Sequence, residues 1–441
     1  MVKLIGLLSR FQPVKVAVVG DFMLDTYTIG KVRRISPEAP VSVLHVEKEE
    51  SRAGGAGNVV LNLISLGAEV IAIGRIGSDP AGSTLRQSLF ENGCQVSGIA
   101  TQENYNTPIK NRLIADAQQV LRVDFENASL IPPDLESQIL AELPFHLAGV
   151  QIIAVSDYAK GFLSRGLLAG IIQVAKEKNI QVIIDPKGDD FSKYAGAHII
   201  KPNLSEAYAA AKVSAETSLE LVANKILESG EFAHLVVTRS EAGISLFSTD
   251  NERHHFPVRS REVKDVTGAG DTVLATLSAA LANGLDLKSA LQISNVAAGI
   301  AIERLGCVRV TLADLANRLL RADVENKVFD EEHLFALQQV LQGKRYCVLG
   351  MEKSCSLSSS LFRAIRSITS VDPDRQLIVY LRDPAPNPEF ITLLASLSEI
   401  NFIVLQSESL RHLCDVISPH AVFVMQEDQL ITLDHAGTLL A

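Results

Sequence analysis

The chain reads as an α/β protein in two domains. Short β-rich runs ending in polar turns recur along it, helical stretches separate them, and the rhythm breaks in a charged stretch at 321–332 and then restarts. The first run, 14–21, is Val-Lys-Val-Ala-Val-Val-Gly-Asp; the others are 70–76, 150–156, 181–185, 199–202 and 235–238. Their near-continuous apolar character suits central parallel strands. Helical stretches at 83–92, 164–178, 205–212 and 218–229 lie between them. Such alternation predicts a mainly parallel sheet with helices on both faces. Ligands on such sheets gather beyond the carboxyl ends of the strands, where Asp21, Asp157, Asp185 and Asn203 fall.

Two segments, 28–49 and 108–126, alternate apolar and polar residues instead, as in Val120-Leu121-Arg122-Val123-Asp124-Phe125. Alternation marks strands with one exposed face. They are expected to form a small antiparallel sheet standing off the main domain as a lid. An apolar face left on that lid favours a homodimer. The charged stretch predicts domains of 1–325 and 326–441; in the second, strand-like runs at 346–350, 377–381, 401–405 and 421–425 suggest a Rossmann-like core of ordinary size.

Composition excludes several classes. With 41 basic and 51 acidic residues the chain carries −10 and no basic tail, which argues against nucleic-acid or anionic-membrane partners. No apolar run approaches the ~18 residues of a membrane span, and residues 1–10 make a poor signal peptide. Five scattered cysteines without a C-x-x-C pair suit reduced thiols in the cytoplasm and offer no zinc site.

The chemistry concentrates in Asp265-Val266-Thr267-Gly268-Ala269-Gly270-Asp271, placed before an apolar helix. Gly268 and Gly270 let the backbone approach a ligand, and a helix start offers unpaired N–H groups to an anion. Asp271 can take a proton from an attacking hydroxyl while those amides hold developing phosphoryl charge. A plain loop with an Asp cap has the same residues. Asp21 and Asp25 can accept from sugar hydroxyls, or serve a turn and a cap. Ala53-Gly54-Gly55-Ala56-Gly57-Asn58 opens a helix at 59–66, for ligand contact at Gly55 and Asn58 or for close helix packing. Asp157 with Lys160, and Asp185 with Lys187, suit a sugar phosphate or a surface ion pair. Asn203 and Glu206 stand one helical turn apart, for a cap or for a hydrated metal.

The order of these motifs resembles the ribokinase (PfkB) family of carbohydrate kinases over about residues 10–320. Gly20-Asp21-Phe22-Met23-Leu24-Asp25, Arg34-Ile35-Ser36-Pro37-Glu38-Ala39-Pro40-Val41, Ser156-Asp157-Tyr158-Ala159-Lys160-Gly161, Asp185-Pro186-Lys187-Gly188 and Pro202-Asn203-Leu204-Ser205-Glu206 resemble one branch of it, the kinase half of bifunctional D-glycero-β-D-manno-heptose 7-phosphate kinase / heptose 1-phosphate adenylyltransferases. The resemblance implies a ribokinase-like sandwich with a β lid, ATP and Mg²⁺, and heptose 1,7-bisphosphate as product on the route to ADP-heptose and the lipopolysaccharide core.

It further implies Asp271 as general base and Gly268, Ala269 and Gly270 as the anion hole. The sugar side falls to Asp21, Asp25, Gly55, Asn58, Asp157, Lys160 and Lys187. The nucleotide side falls to Asn203, Leu204, Ser205, Glu206 (on Mg²⁺ through water), Thr238, Arg239, Ser240, Gly243 and Asn295. Gly57 stands where the family usually has Ala, a permissive change. A kinase for another sugar and a non-catalytic sugar-phosphate scaffold are the alternatives.

In the second domain the resemblance implies a nucleotidyltransferase, whose H-x-G-H histidines are replaced by Ser356 and Ser359 and whose preceding Phe-Asp is replaced by Glu352 and Lys353. The late Lys-Gly-Gly-Asp appears as Met425-Gln426-Glu427-Asp428. That domain is expected to keep the fold and lack the chemistry.

Overall fold

A computed structural model describes residues 4, 6–116, 118–250, 252–258, 263–304, 306–322, 327–330, 334–351, 358–372, 375–383, 387–405, 409–426 and 429–433. The chain forms two compact units, Phe11–Thr311, and Leu312–Ala441 together with Met1–Arg10. The expected boundary at 325/326 falls after helix Leu312–Ala322, whereas the units divide before it. That helix packs on helix Leu334–Leu341 of its own unit and buries Leu315 and Ala316.

The first unit contains strands β1 (Lys15–Gly20), β2 (Phe22–Ile35), β3 (Ser42–Gly55), β4 (Glu69–Gly77), β5 (Gln95–Gln102), β6 (Ile109–Ala115), β7 (Gln118–Phe125), β8 (Ile152–Ser156), β9 (Gln181–Asp185), β10 (Ile199–Ile200), β11 (His234–Thr238), β12 (Ile244–Ser248) and β13 (Arg253–Phe256). Nine form one sheet in the order β13-β12-β11-β10-β9-β8-β1-β4-β5. It is parallel from β5 to β11, with β12 and β13 added antiparallel at the far edge. The strand order reverses at β1, which pairs with β4 on one side and β8 on the other, Val19 opposite Val155 and Gly20 opposite Ser156. That reversal creates the crevice at the strands' carboxyl ends. Ala17, Val19, Ile153, Val155, Ile184 and Leu235 are fully buried or nearly so, as two-sided helix cover requires.

The lid is a four-stranded sheet, β3-β2-β6-β7. It is mixed, since β2 pairs antiparallel with β3 but parallel with β6. The expectation of a wholly antiparallel sheet fails because the chain leaves the lid after β3, builds β4 and β5 of the main sheet, and returns as β6 in the direction of β2. The strands also run further inward than expected. β2 starts at Phe22, so Asp25 belongs to a lid strand rather than to a turn after β1. β3 ends at Gly55, and the following helix spans Ala56–Ser65.

In the second unit, β14 (Val328–Phe329), β15 (Tyr346–Met351), β16 (Gln376–Leu381), β17 (Phe402–Leu405), β18 (Ala421–Gln426) and β19 (Gln429–Leu433) form a sheet in the order β14-β17-β16-β15-β18-β19. All pairs are parallel except β18 with β19, and Leu349, Leu377, Val379, Leu381 and Ile403 fill its core. Glu352, Lys353, Ser356, Glu427 and Asp428, where chemistry was expected to be lost, lie outside the described residues; Ser359 begins helix Ser359–Val371. Among the described residues no helix is long and apolar enough to cross a membrane, and Cys94, Cys307, Cys347 and Cys414 are free and buried.

Candidate active site

The crevice at the ends of β1, β8 and β9 opens into a cavity of about 340 Å³ under the lid. Its walls include Met23, Asp25, Gly55, Lys110, Arg112, Arg122, Tyr158, Lys160, Lys187, Thr267, Gly268, Asp271 and Cys307.

Asp271 lies in the first turn of helix Ala269–Ala282, whose N-cap, Gly268, takes φ 77°. A side chain there would be strained, and its Cβ would sit 2.7 Å from Asn58 Nδ2. Asp271 is 2% exposed, and each carboxylate oxygen accepts one hydrogen bond: Oδ2 from Asn58 Nδ2 at 2.9 Å, Oδ1 from the Tyr158 hydroxyl at 2.8 Å. Burial pushes its pKa up to about 7; the two donors oppose that rise and the nearby Asp185 carboxylate adds to it. Asn58 is set by Asn62, whose Nδ2 donates to the Asn58 carbonyl at 3.0 Å, while Asn62 Oδ1 accepts from the Val310 N–H at 3.0 Å. Asp185 and the buried Lys201 form a 2.9 Å ion pair beside Gly270. The Ala269 N–H donates to the Val266 carbonyl at 3.2 Å, so the buried cation and the helix amides that follow Ala269 stand together near the base, an arrangement able to hold an anion.

Asp25 faces the cavity from β2 and pairs with Arg112 of β6, and Cys307 Sγ donates to it at 3.3 Å. Arg112 lies over the Tyr27 ring at 5.4 Å. On the antiparallel pair β6–β7, Lys110 stands opposite Asp124 and Arg112 opposite Arg122, all on one face by the two-residue period. Lys160 reaches the same region, bonding Glu126 at 2.7 Å, while Lys110 lies 3.4 Å from both Asp124 and Glu126. Four cations, Lys110, Arg112, Arg122 and Lys160, thus meet three carboxylates, Asp25, Asp124 and Glu126, an excess of one positive charge.

The other expected residues divide between supporting roles and a second locus. Asp21 does not line the cavity; its Oδ2 accepts from the backbone N–H groups of Tyr158 at 2.9 Å and Lys160 at 3.0 Å. Asp157 is also turned away, accepting from Lys193, the Tyr194 hydroxyl and the Ala159 N–H, each at 2.7 Å. Lys187 lines the cavity but holds Glu206 at 2.6 Å.

Asn203 and Glu206 form a reciprocal capping box on helix Leu204–Ala211, which accounts for Leu204 and Ser205 as its first residues. Asn203 bridges to Thr238, and the Arg239 N–H donates to the Gly243 carbonyl at 2.7 Å, so these positions, with Ser240, gather past the ends of β10 and β11. Asn295 adjoins this locus through β13: its Nδ2 donates to the Phe256 and Pro257 carbonyls at 3.1 and 2.9 Å, and Phe256 lies against Gly243. Both Glu206 oxygens are bonded once and keep spare lone pairs, so the carboxylate can still accept from the water shell of a Mg²⁺.

Sequence reasoning did not single out Arg112, Lys110, Arg122, Tyr158, Lys201 or Cys307 as functional. A signal for the first three was present, because Lys110 and Arg112, and Arg122 and Asp124, fall on the polar phase of alternating strands.

The pfkB family carbohydrate kinase model matches residues 14–313. The chain is 41% identical to the Bifunctional protein HldE of Trichlorobacter lovleyi over 344 residues, 77% of this chain and 70% of that one. It is 36% identical to that of Pelobacter propionicus over 435 residues (94% and 88%) and 37% identical to that of Geobacter sulfurreducens over 422 residues (91% and 86%), so these matches run on into the second unit. Among solved structures, Escherichia coli phosphofructokinase-2 in complex with potassium aligns with TM-score 0.59 at 20% identity, covering 70% of this chain and 98% of that one. Arabidopsis thaliana ribokinase complexed with ribose and ATP aligns with TM-score 0.55 at 17% identity, covering 70% and 99%. Both likenesses speak to fold.

Proposed function

Because the chain belongs to the pfkB family of carbohydrate kinases, and so works with ATP and Mg²⁺, we propose that it phosphorylates D-glycero-β-D-manno-heptose 7-phosphate at the anomeric O1. The product is heptose 1,7-bisphosphate, on the route to ADP-heptose and the lipopolysaccharide core. One observation carries this reading: a single cavity has a buried carboxylate on one wall and, facing it, three lid cations joined by Lys160 from the loop after β8, one more positive charge than the carboxylates they meet. Arg112 directly opposite Arg122 is unfavourable in an empty cross-strand pair and becomes favourable around a dianion. A sugar that already carries a phosphate meets that need, and a neutral sugar does not.

In the reaction, Asp271 takes the proton from O1, O1 bonds to the γ-phosphorus, and the bond to the β-phosphate oxygen breaks to release ADP. The Gly268 and Gly270 amides and Lys201 face the charge that is moving, whereas the Ala269 N–H donates to the Val266 carbonyl at 3.2 Å. When bound, Mg²⁺ supplies charge neutralisation on the phosphates, with Glu206 placed to hold its water shell. Asn203, Thr238, Ser240 and Gly243 form the nucleotide side. Asp25 is the sugar ligand on the lid, while Asp21 and Asp157 support the loop between them.

The protein is a cytoplasmic homodimer in this proposal, joined through the apolar face of the lid. ADP release with heptose 7-phosphate, set against heptose and a panel of other sugar phosphates, tests the substrate. Loss of the 7-phosphate should lower kcat/KM about 10- to 150-fold, the worth of one charge-assisted contact. Equal values for the two sugars would remove the assignment.

A further inference from the structure

Tyr158 lies inside the Ser156–Gly161 motif but carries none of the roles that the resemblance implies, yet its hydroxyl meets the reacting carboxylate. It follows β8 in a loop with unusual backbone: Ala159 has φ 55° and Gly161 φ 87°. Two buried charges hold that loop. Asp21 accepts from the N–H groups of Tyr158 and Lys160, and Arg75 donates to the Lys160 carbonyl at 2.8 Å and to the Ser129 carbonyl. Arg75 is 2% exposed, lies over the Tyr105 ring at 4.1 Å, and bonds Gln102 at 2.8 Å. Burying a carboxylate and a guanidinium is costly, and the arrangement persists only because each meets fixed partners. What the pair fixes is the position of the Tyr158 ring.

We propose that Tyr158 is a positioning residue for the base: its hydroxyl, placed by a loop clamped between Asp21 and Arg75, holds one oxygen of Asp271 while Asn58 holds the other, and so sets the orientation of that carboxylate and the pH at which it accepts a proton. This rests on the reading of Asp271 as base. With one hydrogen bond on each oxygen the carboxylate cannot rotate freely, yet each oxygen keeps a lone pair for a sugar hydroxyl. The hydroxyl keeps its proton to donate to Asp271, since burial and the Asp271 charge raise its pKa well above normal.

The groups facing Asp271 come from five elements: Asn58 on its helix, Tyr158 after β8, Asp185 at the end of β9, Lys201 after β10, and Cys307. Asn58, Tyr158 and Lys201 favour the ionised form, whereas burial and Asp185 oppose it. Removing the Tyr158 hydroxyl therefore moves the titration upward.

The test is Tyr158→Phe, which keeps the ring, in the full chain. Titration of the Asp271 carboxyl is followed by infrared difference spectroscopy without substrates, with Asp271→Asn as the reference that identifies its band. Its midpoint should rise by on the order of one pH unit. In turnover with heptose 7-phosphate, kcat should fall about 10- to 100-fold near pH 7. The deficit should shrink towards pH 9, and KM for both substrates should stay within about threefold, since the phenol acts through the base rather than as a sugar anchor.

An unmoved infrared midpoint overturns the proposal whatever the sugar proves to be. A loss confined to KM would make Tyr158 a sugar ligand instead. A rise in kcat would show that the phenol blocks the base. If the parent enzyme is inactive on heptose 7-phosphate, the substrate reading fails while the infrared titration still decides the role of Tyr158.

Discussion

Asp271 carries the opposing demands of this fold. It is buried against the start of an apolar helix, so its ordinary value of 3.8 is raised to about 7. A base must be ionised to work, so kcat/KM should fall as the pH drops through about 7, and a pH–rate profile reads this directly. Asp271→Asn should leave ATP and sugar binding nearly intact and cut turnover on the order of 10²- to 10⁴-fold; turnover within about threefold of the parent would show that another group is the base. The same residue is a liability for stability. Its folded pKa lies above its unfolded one, so its contribution is most favourable below about 4 and is lost as the pH rises to about 7. At pH 8 Asp271→Asn should therefore unfold at higher temperature than the parent, by an amount worth up to a few kcal/mol, and the gain should vanish near pH 4. An unchanged difference across that range would mean that burial of the charge is not the cause.

At the scale of elements, the lid shows both how far sequence reasoning reaches and where it stops. Alternation in 108–126 announced strands with two unlike faces, and the structure separates them: Lys110, Arg112, Arg122 and Asp124 on one, Ile109, Leu113, Leu121, Val123 and Phe125 on the other. The Gly-rich turn and the helix after it were equally legible, because glycine spacing and apolar runs are local signals. The parallel pairing of β2 with β6 was not, since direction depends on an intervening excursion through the main sheet. The Asp25–Arg112 pair was hidden for the same reason, its members being 87 residues apart.

Two predictions belong to this scale. Arg122→Ala should raise KM for the sugar phosphate about tenfold or more, with less effect on a sugar lacking the phosphate, because it removes one of two facing guanidinium groups; equal losses on both sugars would count against a phosphate seat on the lid. On the opposite face Leu121 and Phe125 remain 55% and 58% exposed. In the proposed dimer these side chains meet a second copy, so Leu121→Lys should convert a dimer to a monomer in light scattering. A parent protein that is already monomeric would end that proposal.

The whole molecule joins a kinase unit with an intact carboxylate and Gly-rich turn to a second α/β unit with a sound core, for which we propose that adenylyl transfer is lost. Leu349, Leu377, Val379 and Ile403 are fully buried, so the second sheet has what it needs to fold. Where the resemblance implies two histidines, however, the sequence has Ser356 and Ser359, preceded by Glu352 and Lys353. Serine hydroxyls exchange hydrogen bonds but carry no positive charge near neutral pH, and a triphosphate needs charge to offset its own. Glu352 brings a further negative charge, and Met425 stands where the Lys of a Lys-Gly-Gly-Asp run would be. The full-length protein, given ATP and heptose 1-phosphate, should therefore release no pyrophosphate above background, while heptose 7-phosphate and ATP still give ADP. Restoring histidine at both serines should not by itself recover transfer, because the acidic neighbours remain. Pyrophosphate released at a rate comparable with the kinase step would show that this unit is active by a different set of residues.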